Sequence, residues 1–391
     1  MKTKHLLIIF CAVLLSACGG NSVRNKQASA FKDACSVEKT GTKSFVLDEN
    51  TSATLNFLQY VHGDALQRLS LLNSYSNSIY LYNAVDGAFL DSIRFDKEGA
   101  DGVGTMQGYY YHNDDSIFIY PYSEGRVYLA NSRGKVQKIY RLYDADAMAY
   151  DTTRFLPVPY METRLPMFYR SGKLFLSGGL LVDTSLEHKD NTFVCISYDV
   201  CTKKSHFAMP YPEMYRKYNW GGDFFYRQPS ITMTSGGELL VSFAADHNLW
   251  KYNSATGQCD SLYAGSRDIK EIAPLSTQKK AFPDDVPGEL ISEWYYSQPS
   301  YESVYADPYK GLYYRIARLS NPAHKLNTFN DKPVVVIVLD KDLNYVGEEC
   351  LPEGVSYDTF NTYVSPEGLN IHIYNSKDED HATFYTYNAK F

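Results

Sequence analysis

The chain of 391 residues contains no CxxC pair, and once residues 1–18 are set aside only Cys35, Cys195, Cys201, Cys259 and Cys350 remain, an odd number at irregular spacing. A disulfide framework is therefore not expected, and most of these cysteines read as small buried hydrophobes in strands. The histidines are scattered, with no HExxH and no pair at ligand spacing, so neither a metal site nor a cofactor is expected. No GxSxG elbow occurs, which argues against a serine hydrolase of that kind. Gly99–Gly108 is rich in glycine but lacks the GxGxxG spacing, and it leads into a strand where a phosphate cradle needs a helix amino terminus. Asp340–Asn344 begins like a calcium loop, yet Tyr345 stands where the sharp turn needs Gly and Leu351 where the bidentate Glu should be, so it reads as a hairpin turn. Asp378–His381 reads as a solvated loop. There is no Lys/Arg cluster, and the formal charge is −7, falling to −9 once Lys2 and Lys4 leave with the leader. That balance fits neither nucleic acid nor an anionic lipid surface. No segment sustains a helical period; Asp144–Tyr150 and Gly288–Tyr296 are the candidates for short helices within loops.

The apolar run Leu6–Leu15 is too short to span a bilayer as a stable helix. With Lys2, Lys4 and His5 before it and Ser16 and Ala17 after it, residues 1–17 read as a secretory signal. Leu15-Ser16-Ala17-Cys18 resembles the bacterial lipobox, which implies acylation of Cys18, anchorage to a membrane and a place in the cell envelope, with the outer membrane expected. The polar stretch Gly19–Ser29 follows, and residues 18–42 read as a lipidated tether.

Residues 43–391 repeat one unit. Gly108–Tyr111, Ser116–Tyr120, Arg126–Ala130 and Val136–Leu142 are four runs of β-branched and aromatic residues separated by turns rich in Gly, Pro, Asn, Asp and Ser. The same pattern occupies Phe57–Phe95, Leu165–Met209, Gln228–Tyr263 and Pro299–Leu351. The last unit has only Tyr357–Val364, Leu369–Tyr374 and Thr383–Asn388, while Lys43–Leu47 before the first unit is unclaimed. The reading is an all-β, six-bladed β-propeller of four-stranded antiparallel blades, in which the N-terminal strand completes the last blade and leaves no open edge at the seam. A sheet sandwich shares the short strands but does not account for six similar units and a missing strand supplied by the other end.

The lipobox, the length, and Ile93-Arg94-Phe95-Asp96-Lys97-Glu98-Gly99-Ala100-Asp101-Gly102-Val103-Gly104 followed by Tyr-rich strands resemble an uncharacterised family of Bacteroidetes lipoproteins, a domain of unknown function with a TolB-like six-bladed propeller. The resemblance implies fold and envelope location and carries no catalytic motif. Members exported to the cell surface often have acidic residues after the lipidated cysteine, whereas Gly19-Gly20-Asn21-Ser22 has none; periplasm-facing and surface-exposed anchors both stay open.

Connectivity suggests where binding sits. With strands a to d running outward, the d-to-a and b-to-c connections share one face, and the long segments Tyr143–Arg164, Pro210–Arg227, Ala264–Gln298, Gly178–Asn191 and Leu319–Lys332 are all of these two kinds. Aromatic residues crowd two of them. Trp220, Tyr226, Trp294 and Tyr296 are expected to line a ligand or partner surface there, with Arg164, Asp223, Arg227 and Gln228 near the central mouth. Packing of the loops onto the ring explains the same aromatics equally well. Two functions follow: a non-enzymatic binding or scaffolding lipoprotein for a glycan, peptide or envelope protein, or a glycan lyase or hydrolase at the channel mouth. The second requires two facing carboxylates, and Asp223, Glu289 and Glu293 are the acids nearest the aromatics.

Overall fold

A computed structural model of the chain describes residues 22–61, 65–121, 124–143, 158–179, 193–221, 226, 228–275, 287–321, 332–375 and 377–391. Six sheets stand around a common axis, four-stranded except where Val158–Pro159 adds a short pair to the third. In order, their innermost strands are Leu58–Tyr60, Met106–Asn113, Phe168–Arg170, Pro229–Met233, Ser300–Asp307 and Tyr357–Ser365. Each sheet is an antiparallel meander whose next strand lies one step further out. This is the six-bladed propeller that the repeat implied.

Burial follows position in the blade. Val334–Leu339, a middle strand of blade five, is buried along its whole length and is built entirely of Val, Ile and Leu. Phe89–Arg94, outermost in blade one, buries only Ile93. A strand covered on both sides needs a continuous apolar run, and one facing water on one side does not. Apolar clusters fill the gaps between neighbouring blades. One, around Val241, Phe243 and Trp220, joins blades three to five, and another, around Phe45, Leu69 and Phe384, joins blades six and one.

Closure is made as expected, with a longer strand. Ser36–Val46 pairs antiparallel with His381–Lys390, placing Lys43 opposite Phe384 and Val37 opposite Ala389. The tether expected over residues 18–42 is corrected accordingly, since from Ser22 onward the chain is docked on the ring. Val23–Arg24 pairs with Glu271–Ile272, and Asn25 donates from Nδ2 to the carbonyls of Ser266 and Ile269 at 2.7 and 2.8 Å. Phe31 lies between the rings of Tyr263 and Tyr345, and Cys35 passes over Gly347, where any Cβ would come within 2.4 Å of the Cys35 carbonyl oxygen. A polar arm of this composition orders because backbone and amide groups, rather than apolar side chains, hold it.

Of the helices anticipated, Gly288–Ser297 is present, and Asp144–Tyr150 lies outside the described residues. A shorter helix, Glu213–Lys217, sits between blades three and four. Cys35, Cys195, Cys201, Cys259 and Cys350 are all unpaired.

Candidate functional site

The aromatic residues picked out by sequence turn inward. Trp220 and Tyr226 are 1% and 0% exposed and Trp294 is 8% exposed, so none presents a ring to a ligand. Their polar ends are used within the fold: Trp220 Nε1 donates to the Met214 carbonyl at 3.1 Å, and Trp294 Nε1 to that of Ala273 at 2.9 Å. The Tyr226 hydroxyl lies 2.9 Å from the carbonyls of both Gln298 and Pro299. Tyr226 packs on Trp294 with centroids 4.7 Å apart and stacks on Trp220 at 6.3 Å. Tyr296 is half-buried beside Tyr295. These rings plug the connections between blades three, four and five, because a long loop over a sheet must cover apolar surface and satisfy its own backbone groups.

Beneath them is a buried charge network. Arg318 and Glu302, both buried, form an ion pair at 2.9 Å, and Arg318 also donates to the carbonyls of Lys332 and Tyr357. Lys332 is 1% exposed and donates to the Tyr295 and Gln298 carbonyls, and burial pulls its ammonium down to about 7. Such groups fix the geometry of the loop bases; removing either partner of the ion pair strands a charge.

The open part of the loop-rich face is on the other side of the axis. A cavity of about 590 Å³ is lined by Thr54, Leu55, Asn56, Met106, Gln107, Tyr160, Met161, Glu162, Asp358, Phe360, Asn361 and Tyr374. Three chain features shape it. Residues leading into blades one and two form one wall. The segment before Leu165 crosses over blade two so closely that a Cβ at Gly108 would fall 2.5 Å from the Met161 side chain. In blade six the pairing register jumps between Asp358 and Thr362, so Thr359, Phe360 and Asn361 bulge out of the ladder.

Arg164 joins this wall to the axis. It is buried, donates to Gln228 and to Glu162, and lies with its guanidinium carbon 3.6 Å from the Phe360 ring centroid. Arg164 and Gln228 are thus brought together at the mouth, as structural groups. Asn361 donates to the Leu55 carbonyl and to Asp358, and its Oδ1 accepts from Thr163 at 2.7 Å. Asp358 Oδ2 also lies 3.0 Å from His372 Nδ1. Burial by itself would raise the Asp358 carboxyl, but the hydrogen bonds from His372 and Asn361 hold it below its usual value. Gln107 differs from its neighbours, since its Oε1 is buried with no hydrogen-bond partner among the described residues.

Asp223, Arg227 and Cys18 lie outside the described residues. Glu289 and Glu293 are exposed on the helix Gly288–Ser297, and neither lines this cavity. The carboxylates that share it are Glu162 and Asp358, which the sequence reading did not single out. One signal for the bulge was available: the run Tyr357–Val364 has 8 residues and the next run, Leu369–Tyr374, only 6, a surplus the ladder must expel. Among the described residues no three His, Cys, Asp or Glu side chains cluster as a metal site would require, and no helix is long and apolar enough to cross a membrane.

Comparison with known proteins agrees with the architecture. A solved member of the DUF4221 family from Bacteroides vulgatus superposes with a TM-score of 0.73 at 20% identity, covering 90% of this chain and 98% of that one. A Bacteroides fragilis protein described as exported superposes with a TM-score of 0.56 at 11% identity, covering 91% and 96%. No curated protein matches the sequence. The model of the family described as a domain of unknown function, DUF4221, matches residues 33–350, and the chain belongs to that family.

Proposed function

We propose that the chain is an envelope lipoprotein, anchored through Cys18, whose propeller binds a ligand without transforming it, and that the ligand seat is the cavity around Phe360 and Gln107. The observation that carries this reading is the contrast within one cavity. Its acids are already engaged by Arg164, His372 and Asn361, while the buried Gln107 Oε1 is left without a partner among the described residues. A buried amide oxygen in that condition takes a hydrogen-bond donor, whether an ordered water or a ligand group, once its side chain turns toward the cavity. Amides, hydroxyls and the rings of Tyr160, Phe360 and Tyr374 around a half-open cavity suit an uncharged polyhydroxylated ligand, a short saccharide in the first instance. A glycosidase acting through paired carboxylates needs one acid free to give a proton and the other free to attack or to activate water. Here both carboxylates are tied up within the fold, Glu162 by Arg164 and Asp358 by His372 and Asn361, which supports binding over hydrolysis.

The test is a saccharide screen by calorimetry on residues 22–391, followed by Gln107→Ala and Phe360→Ala. Saturable binding weakened tenfold or more by both changes, with an unaltered circular dichroism spectrum, is expected. Binding indifferent to both, or cleavage of the bound saccharide, overturns the reading; capture only of basic peptides would replace the ligand class. For the anchor, Cys18→Ala should release the protein from membranes, and retention of a fully processed variant counts against it.

A further inference from the structure

The N-terminal arm sets which way the ring faces. Its first described residue, Ser22, donates to Glu271 Oε2 at 3.1 Å, and Val23 pairs with Ile272. Both partners belong to the connection from the last strand of blade four to the first strand of blade five. The Val23 carbonyl also lies 3.1 Å from His247 Nε2, and His247 is in the turn between the second and third strands of blade four. These two connections emerge at the same end of the blade, the loop-rich one. Asn25 donates to the Ser266 and Ile269 carbonyls and accepts from the Tyr263 hydroxyl, so the arm is fixed there by several independent groups. From that point the chain descends between blades four and five, where the Phe31 ring is wedged, crosses blade five at Val346 and enters the outer strand of blade six.

Cys18 precedes Ser22 by only four positions. Fully extended, such a segment reaches about 14 Å. We infer that the lipid anchor turns the loop-rich face toward the membrane from which the chain hangs, with the short-turn face directed away, so that a ligand reaches the mouth from the membrane side. The inference rests on acylation of Cys18, proposed above, and adds to it an orientation that a free tether of residues 18–42 would not impose. A ligand for the Phe360 cavity is then one borne by, or confined against, the same bilayer. The exposed Glu289 and Glu293 on that face disfavour anionic headgroups themselves as the ligand.

Depth-dependent quenching distinguishes the two faces. The lipidated full chain, with the exposed Cys201 and Cys350 changed to Ser, is labelled at Leu290→Cys on the loop-rich face or at Ala255→Cys in the turn at the opposite end of blade four. It is then reconstituted into phosphatidylcholine vesicles containing a headgroup-level quencher. Quenching several-fold stronger at position 290 than at 255 is expected, and Asn25→Ala combined with Phe31→Ala should erase the difference by loosening the arm. Equal or reversed quenching on vesicle-bound protein overturns the orientation while leaving the anchor intact. Asymmetry that survives loss of the arm contacts overturns the role given to the arm. Failure of the processed chain to float with vesicles overturns the anchor and the orientation together.

Discussion

On one side of the axis, over blades three to five, the long connections carry Trp220, Tyr226, Trp294 and Tyr295, and their rings are buried among one another. On the other, over blades six, one and two, Phe360 and Tyr374 from short ends of blade six and Tyr160 from the long connection Tyr143–Arg164 stand around an open cavity. The residue types are alike on the two sides, but what the connections meet differs. Over blades three to five two long connections meet and bury each other's aromatics, whereas over blades six, one and two the one long connection meets only short segments and a concavity is left. Aromatic density therefore marks coverage on one half of the face and access on the other.

The largest effect should come from the seam that keeps the open half together. Blade six and blade one are the walls of the cavity, and Ser36–Val46 completes blade six. Deleting that strand uncovers the edge of His381–Lys390, so aggregation or an enlarged hydrodynamic volume in place of a monomer is expected by size-exclusion chromatography. A monomer with unchanged unfolding midpoint would break the comparison at its base.

Next come paired substitutions that pull the halves apart. Trp220→Ala should lower stability by about 3–5 kcal/mol in denaturant unfolding, because a fully buried ring leaves a cavity, yet leave affinity of the folded fraction unchanged. Phe360→Ala should do the reverse, weakening saccharide binding tenfold or more at a stability cost under about 1.5 kcal/mol. If Trp220→Ala abolished binding in a folded protein, the plugged half would have to be part of the site after all.

The smallest effect lies beside the arm. Glu348 is buried, its Oε1 accepting from Ser266 and from the Arg267 backbone, and burial together with nearby Asp268 pushes its carboxyl up to about 7. Because the folded state holds this proton more tightly than the unfolded chain, the group's contribution is fully present below pH 4.5 and is lost as pH rises to about 7. The slope in that window is at most about 1.4 kcal/mol per pH unit. Glu348→Gln should flatten the stability profile there and raise stability at pH 8, measured by thermal unfolding across pH.

Much of the ring was legible because strand signals are local. Ser78–Asn83 and Arg126–Ala130 fall where alternation and turn residues put them, and the spare strand near the N-terminus found its partner at the C-terminus by counting. Two things were not legible. The pairing of Val23–Arg24 with Glu271–Ile272 involves two residues on each side, too few to show any period. The inward turn of Trp220 and Tyr226 depends on which carbonyls the folded loops leave open, and Met214, Gln298 and Pro299 supply those only after tertiary packing.

The seam also sets the order of events in folding. Thr40 meets the carbonyl of Thr386, 346 residues later, so a strand near the start of the chain waits for the last one. Pairing over such a separation adds loop-closure entropy to the barrier and contributes a very high contact order. Until it forms, blade six offers an unpaired edge at each terminus of a chain that is otherwise complete. A chain in this condition is open to association with its own copies, so holdase chaperones that cover strand edges late in maturation should raise the yield of closed rings more than those acting early.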